Sequence, residues 1–261
     1  MVLHDAMNTV GWARARRLLR RAIRHPAGRL LVRLNVAVDS DDAQTSKVFE
    51  ALPDRTPHHP EMFFECLADV VTTLGLAPDP AGDRHDWVRN VRTALFRACR
   101  GGISLPTASF DVLLKAAVHD PDPSFNRHFV EPALNAFGRR RVRAALLGYL
   151  RTGTDAERAG AARAWYWSDI GLKMPLVQAQ NPGHPESDDR SVLKVDWNAA
   201  ALREFVANEH LDVRRSILPG LPLWKSFYPP ELHDLVDAAV AIARSHPDGY
   251  IRHRVEHQLN G

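Results

Sequence analysis

Apolar residues recur along this chain at three- and four-residue spacing, and almost nowhere at the two-residue spacing of a half-buried strand. Near the start, Trp12, Ala15, Leu18, Leu19, Ala22 and Ile23 share one helical face, while Arg14, Arg16, Arg17, Arg20, Arg21 and Arg24 cover the rest. This predicts a basic amphipathic helix over 9–24, stopped by Pro26. Further helices are predicted over 60–76, 85–102, 105–120, 124–138, 139–153, 191–210, 211–221, 229–246 and 247–259, punctuated by Gly, Pro and Asp. Another opens at Thr154, where Thr154 and Glu157 form the T-x-x-E pattern of a capping box. Between 170 and 190 the chain is polar and proline-bearing without a period, which predicts an insertion of about twenty residues.

Composition agrees with a helical reading. The 261 residues are 45% hydrophobic and rich in Ala, Leu and Arg, which favour helix over sheet. The net charge of +3 is mild and does not by itself imply a nucleic-acid partner. Cys66 and Cys99 lie inside apolar helical patterns with no metal-ligand companion, as expected of reduced thiols in a cytoplasmic protein. Arginines interrupt the N-terminal apolar residues, so no secretory signal is expected, and no stretch approaches the ~18 apolar residues of a membrane span. The first helix reads as a basic terminal cap, with a membrane surface or phosphates as its alternative targets.

A turn formula recurs as "HDPDPSFNRHFV", "EHLDVRRSIL" and "SHPDGYIRHRV", with a looser version in "GTDAERAGAARA". Its aspartates, Asp122, Asp155, Asp212 and Asp248, are spaced in the mid-thirties once about twenty inserted residues are set aside. An aspartate there caps free amides and suits the positive end of the helix dipole. Small residues (Ala159, Gly160, Ala161, Ala162, Ala164) would let neighbouring helices approach closely.

The turn Asp212-Val213-Arg214, echoed by Asp248 with Ile251-Arg252, resembles HEAT repeats of the bacterial kind, over roughly 105–260. The resemblance implies an all-α, right-handed α-solenoid of about six antiparallel helical pairs. The whole chain, 1–261, would be one domain: irregular helices and the basic cap over 1–104, clearer repeats over 105–261, and the insertion near 170–190. It further implies a concave face, lined by the second helices of the pairs, that is presented to a partner protein.

Candidate chemistry is sparse. "HRVEH" at 253–257 matches H-x-x-E-H, yet no third ligand follows and Arg252 and Arg254 oppose a cation. Glu61 and Glu65 stand one turn apart behind Pro60, where a helix start already favours acids. There is no G-x-S-x-G, no G-x-x-x-x-G-K-[ST], no G-x-G-x-x-G after a strand and no C-x-x-C. No metal or cofactor is expected, and the balance favours a non-enzymatic role.

Arg139, Arg140, Arg141 and Arg143 open a helix, where cations oppose the dipole; compensation is expected from carboxylates of an adjacent repeat or from a bound anion. Trp165 and Trp167 point about 200° apart on a helix, so one buried face cannot take both. The expected arrangement has Trp165 in the core and Trp167 toward the insertion or the exposed ridge.

A second, narrower resemblance is to bacterial HEAT-like DNA glycosylases that release alkylated bases, on the residue types of Trp165, Trp167 and Asp169. It implies stacking tryptophans, Asp169 as the catalytic residue and arginines on DNA phosphates. The leading expectation is a non-enzymatic protein-binding scaffold using Arg139, Arg140, Arg143, Arg163, Trp165, Trp167, Arg214 and Arg215. A nucleic-acid-binding protein is the alternative, and a small-molecule pocket under the insertion is third. The oligomeric state stays open.

Overall fold

The computed structural model describes residues 60–169 and 190–260, all within the unit Val48–Gly261. The helix predicted over 9–24 and residues 170–189 of the predicted insertion lie outside the described residues. Among the described residues the chain is all-α, with ten helices, three short 3-10 turns and no strand. The helices are α1 (Pro60–Leu74), α2 (Arg84–Arg100), α3 (Ser109–His119), α4 (Arg127–Phe137) and α5 (Arg139–Thr152), then α6 (Asp155–Trp167), α7 (Lys194–Ala207), α8 (Leu211–Ile217), α9 (His233–Ser245) and α10 (Gly249–Asn260).

Several boundaries follow from local chemistry. Thr154 caps α6 as predicted: its hydroxyl accepts the Glu157 N–H, and the Glu157 carboxylate accepts the Thr154 N–H at 2.8 Å. The helix expected from 105 begins only at Ser109, because the N–H and hydroxyl of Ser109 both donate to the Pro106 carbonyl and tie 106–109 into a turn. α8 stops at Ile217 and passes into a 3-10 turn, since Pro219 has no N–H to continue the series.

The helices pack in two rows. The first row runs α1, α3, α6, α8, α10 and the second runs α2, α4, α5, α7, α9, each helix lying against its neighbours in the row. Fully buried Leu67, Val91, Leu114, Phe129, Leu146, Leu202, Phe205 and Val213 fill the space between the rows, each worth about 1.5–3 kcal/mol relative to exposure. The small residues of α6 act as expected: a Cβ at Gly160 would stand 1.9 Å from the Val118 carbonyl oxygen, so α3 and α6 touch backbone to backbone.

One junction breaks the alternation. Gly138 alone separates α4 from α5, with φ 82° and ψ 152°, a region open essentially only to glycine. Both helices therefore lie in the second row. Asp155, Asp212 and Asp248 stand at the starts of α6, α8 and α10, all in the first row. Asp122, by contrast, precedes the second-row helix α4, so it is not their counterpart.

Candidate functional site

The C-terminal turn of α6 carries the aromatic cluster. Trp165 is buried, 6% exposed, and points toward the second row, where it lies between α5 and α7. Trp197 of α7 stacks on it with ring centroids 4.0 Å apart and planes 7° apart. The Arg143 guanidinium of α5 stands 4.7 Å from the same ring. Trp167 is half-buried, and its indole N–H donates to the Pro123 carbonyl at 2.8 Å, in the turn ahead of α4. Tyr166 is the exposed member, at 68%.

Arg143 organises this end of α6. It is fully buried, and all five of its N–H donors have acceptors. Nε donates to the Ser168 hydroxyl at 2.9 Å, and Nη1 to the carbonyls of Arg190 and Val192 at 2.5 and 3.0 Å. Nη2 reaches the Ser168 carbonyl and, at 2.5 Å, the Asp169 carboxylate. The charge at the start of α5 is thus compensated, for Arg143, by a carboxylate at the end of the next helix. The Asp169 side chain stays 41% exposed.

The aromatic cluster and Asp169 border a cleft of about 540 Å³. Trp165, Tyr166, Trp167 and Arg163 enter it from α6, Lys194 and Trp197 from the first turn of α7, and Asp212 and Arg215 from α8. Asp169, Tyr250 of α10 and the turn bearing Pro121 and Pro123 also line it. The cleft therefore runs along the first row, which from α6 onward consists of the second helices of their pairs.

Comparison with family models, with curated proteins and with solved structures found no match to this chain.

Of the residues predicted to form a site, Arg163, Trp165, Trp167, Asp169 and Arg215 meet at the cleft. Arg139, Arg140, Arg143 and Arg214 do not line it. Arg139 and Arg143 are buried and Arg140 is exposed; Arg214 is turned toward α7, donating from Nε to the Phe205 carbonyl at 3.3 Å. Tyr166, Lys194, Trp197 and Tyr250 join the lining without having been predicted. Trp197 gave a faint signal as an isolated tryptophan in the first turn of a helix, but nothing local ties it to Trp165.

Two carboxylates fix the cleft's borders. Arg215 pairs with Asp248 through two hydrogen bonds, of 3.3 and 2.5 Å. Burial alone would raise the Asp248 carboxyl, but hydrogen bonds from Arg215 and the Ile251 N–H, with the Arg215 charge, hold it below the usual range. Asp120 is fully buried beside Arg92 and accepts the Asp122 N–H at 2.9 Å, which shapes the 120–124 turn. Burial outweighs Arg92 there and pushes the Asp120 carboxyl up to about 6. The buried thiols of Cys66 and Cys99 are pushed up to about 11 by desolvation, which suits structural cysteines and not nucleophiles.

Among the described residues no three metal-ligating side chains come together. His253 and His257 are exposed on α10, while Glu256 pairs with Arg244 and Glu61 with Arg84.

Proposed function

We propose that this chain is a HEAT-like α-solenoid serving as a non-enzymatic protein-binding scaffold, and that a partner protein docks in the cleft along α6, α8 and α10. The two-row packing of helical pairs supports the solenoid reading. The observation that carries the function is the make-up of the cleft: Trp, Tyr and Arg side chains, the residue types that dominate binding hot spots, gathered in one concavity. A cytoplasmic location accompanies this reading, supported by two buried free cysteines. Among the described residues no helix is long and apolar enough to cross a membrane.

The test is selection of binding peptides from a displayed library on the full chain, followed by Tyr166→Ala. Tyr166 is exposed, so its loss leaves the core intact. Selected binders should weaken at least tenfold, about 1.4 kcal/mol; binders indifferent to Tyr166 would remove the cleft from the reading.

A nucleic-acid-binding protein, with base excision as its activity, is the second reading. It is favoured by one observation: a fixed carboxylate, Asp169, at an aromatic cleft beside Arg163. Against it, Trp165 already carries Trp197 and Arg143 on its ring, so it offers no free face for a base. Duplex DNA binding with a steep salt dependence, about −0.9 in log–log slope per phosphate, together with base release lost in Asp169→Asn, would move the conclusion to this reading.

A further inference from the structure

We infer that the cleft accepts an ionised carboxylate from an acidic segment of the partner protein, an assignment that rests on the partner-binding reading above. Three features converge on an anion. Trp165 and Trp197 are 6% and 4% exposed, and both line the cleft. Neither indole N–H has an acceptor among the described residues, and neither nitrogen belongs to the unpartnered atoms sealed in the interior. Each tryptophan therefore lines the cleft with an indole N–H that is neither bonded nor sealed in the interior. Trp167 shows the contrast, since its N–H is satisfied by Pro123.

The second feature is the start of α7, a 14-residue helix whose N-cap, Leu193, provides no side-chain cap and sits at φ 58° in the left-handed region. Lys194 and Trp197 of its first turn, and Asn198 after them, line the cleft. The Lys194 N–H is taken by the Ser191 carbonyl at 3.0 Å, so what this end of α7 adds beside the indole donors is the positive end of the helix dipole. The third is Lys194 itself, exposed and without an ion-pair partner among the described residues.

The charge balance selects an isolated carboxylate over a polyanion. Arg163, Lys194 and Arg215 share the lining with Asp169 and Asp212, and Arg215 is already committed to Asp248. A nucleic acid bearing one charge per ~1.7 Å of duplex would meet those acids as well as the cations. A single Asp or Glu, flanked by apolar residues that fill the aromatic walls, needs only the donors at the start of α7.

The test uses peptides selected on the full chain and titrated by calorimetry, each beside its amide counterpart in which Asp or Glu is replaced by Asn or Gln. The selected peptides should be acidic, and the amide counterpart should bind about tenfold or more weakly, the usual size for a charge-assisted hydrogen bond. Trp197→Phe, which keeps a stacked ring and removes the N–H, and Lys194→Gln on the exposed surface should each weaken the acidic peptide several-fold and leave the amide peptide unchanged. If the amide peptide binds as tightly, or both variants bind as the parent does, while Tyr166→Ala still abolishes binding, the carboxylate assignment is wrong and the partner-binding reading stands. If Tyr166→Ala has no effect on any selected peptide, that reading falls and takes this inference with it. Displacement of the peptides by duplex DNA also overturns the inference.

Discussion

The contact between α3 and α6 gives a sharp test of the packing. At Gly160 an added methyl group would stand 1.9 Å from the Val118 carbonyl oxygen, 2.7 Å from its carbonyl carbon and 3.0 Å from its Cγ1. Ordinary C···O contacts lie near 3.3–3.6 Å, so the two backbones must part by more than an ångström. Overpacking of this kind costs typically ~1–3 kcal/mol, and here the obstacle is main chain and cannot rotate away. Alanine's better helix propensity returns roughly 1 kcal/mol. Because the backbone clash belongs at or above the top of the overpacking range, Gly160→Ala should lose about 2 kcal/mol net. Gly148 in α5 is the control, since nothing lies within 4 Å of the place its added methyl would take. Gly148→Ala should therefore gain about 0.5–1 kcal/mol. Urea unfolding followed by far-UV circular dichroism separates the two: at a slope near 2 kcal/mol/M the Gly160→Ala midpoint falls by about 1 M, and the Gly148→Ala midpoint rises. Equal shifts of the same sign, or a Gly160→Ala chain as stable as the parent, would refute the backbone contact.

Other perturbations probe the site. Arg143→Met should cost about 3–5 kcal/mol, because it strands the acceptors that a buried guanidinium satisfies; thermal unfolding reads this directly. Thr154→Ala removes the capping box of α6 and should lower stability by about 1 kcal/mol in the same assay. The Asp120 carboxyl, raised to about 6 in the folded chain, binds its proton more tightly folded than unfolded. The cost of ionising it is therefore present above about pH 6 and is relieved as pH falls toward the ordinary carboxylate value. The stability difference between the parent and Asp120→Asn should move in the parent's favour between pH 7 and pH 5, and a flat difference would count against burial as the cause. Both thiols should react with an aromatic disulfide reagent only at the rate of unfolding, as their burial and raised pKa require.

The helices were legible because each rests on local signals, spacing and punctuation, that need no partner. Thr154 and Glu157 gave the start of α6 outright, and the small residues Ala159 to Ala164 gave its role as a packing helix. The angular separation of Trp165 and Trp167 said only that one face could not bury both; in the fold Trp165 is buried and Trp167 half-buried. What escaped was the long-range part. Trp197 and Trp165 are far apart in sequence and stack only because α5 and α7 are neighbours in a row. Arg143 stood with Arg139 and Arg140 among the expected binding residues, yet Arg139 and Arg143 are buried and the five donors of Arg143 are taken within the fold. Asp122 seemed equivalent to the later turn aspartates because spacing alone cannot tell which row a helix joins.

Gly138 gives that last point a wider meaning, as a change of phase in the chain's construction. Before it, each pair opens with a first-row helix; after it, each pair opens with a second-row helix. Whole pairs could be duplicated or deleted on either side without altering which face the row from α6 onward presents. A unit cut across residue 138 would carry the wrong phase and turn its neighbours' outer surfaces inward. A lengthened version of this protein should therefore be built by adding pairs beyond α10, where each addition extends the cleft-bearing row in register.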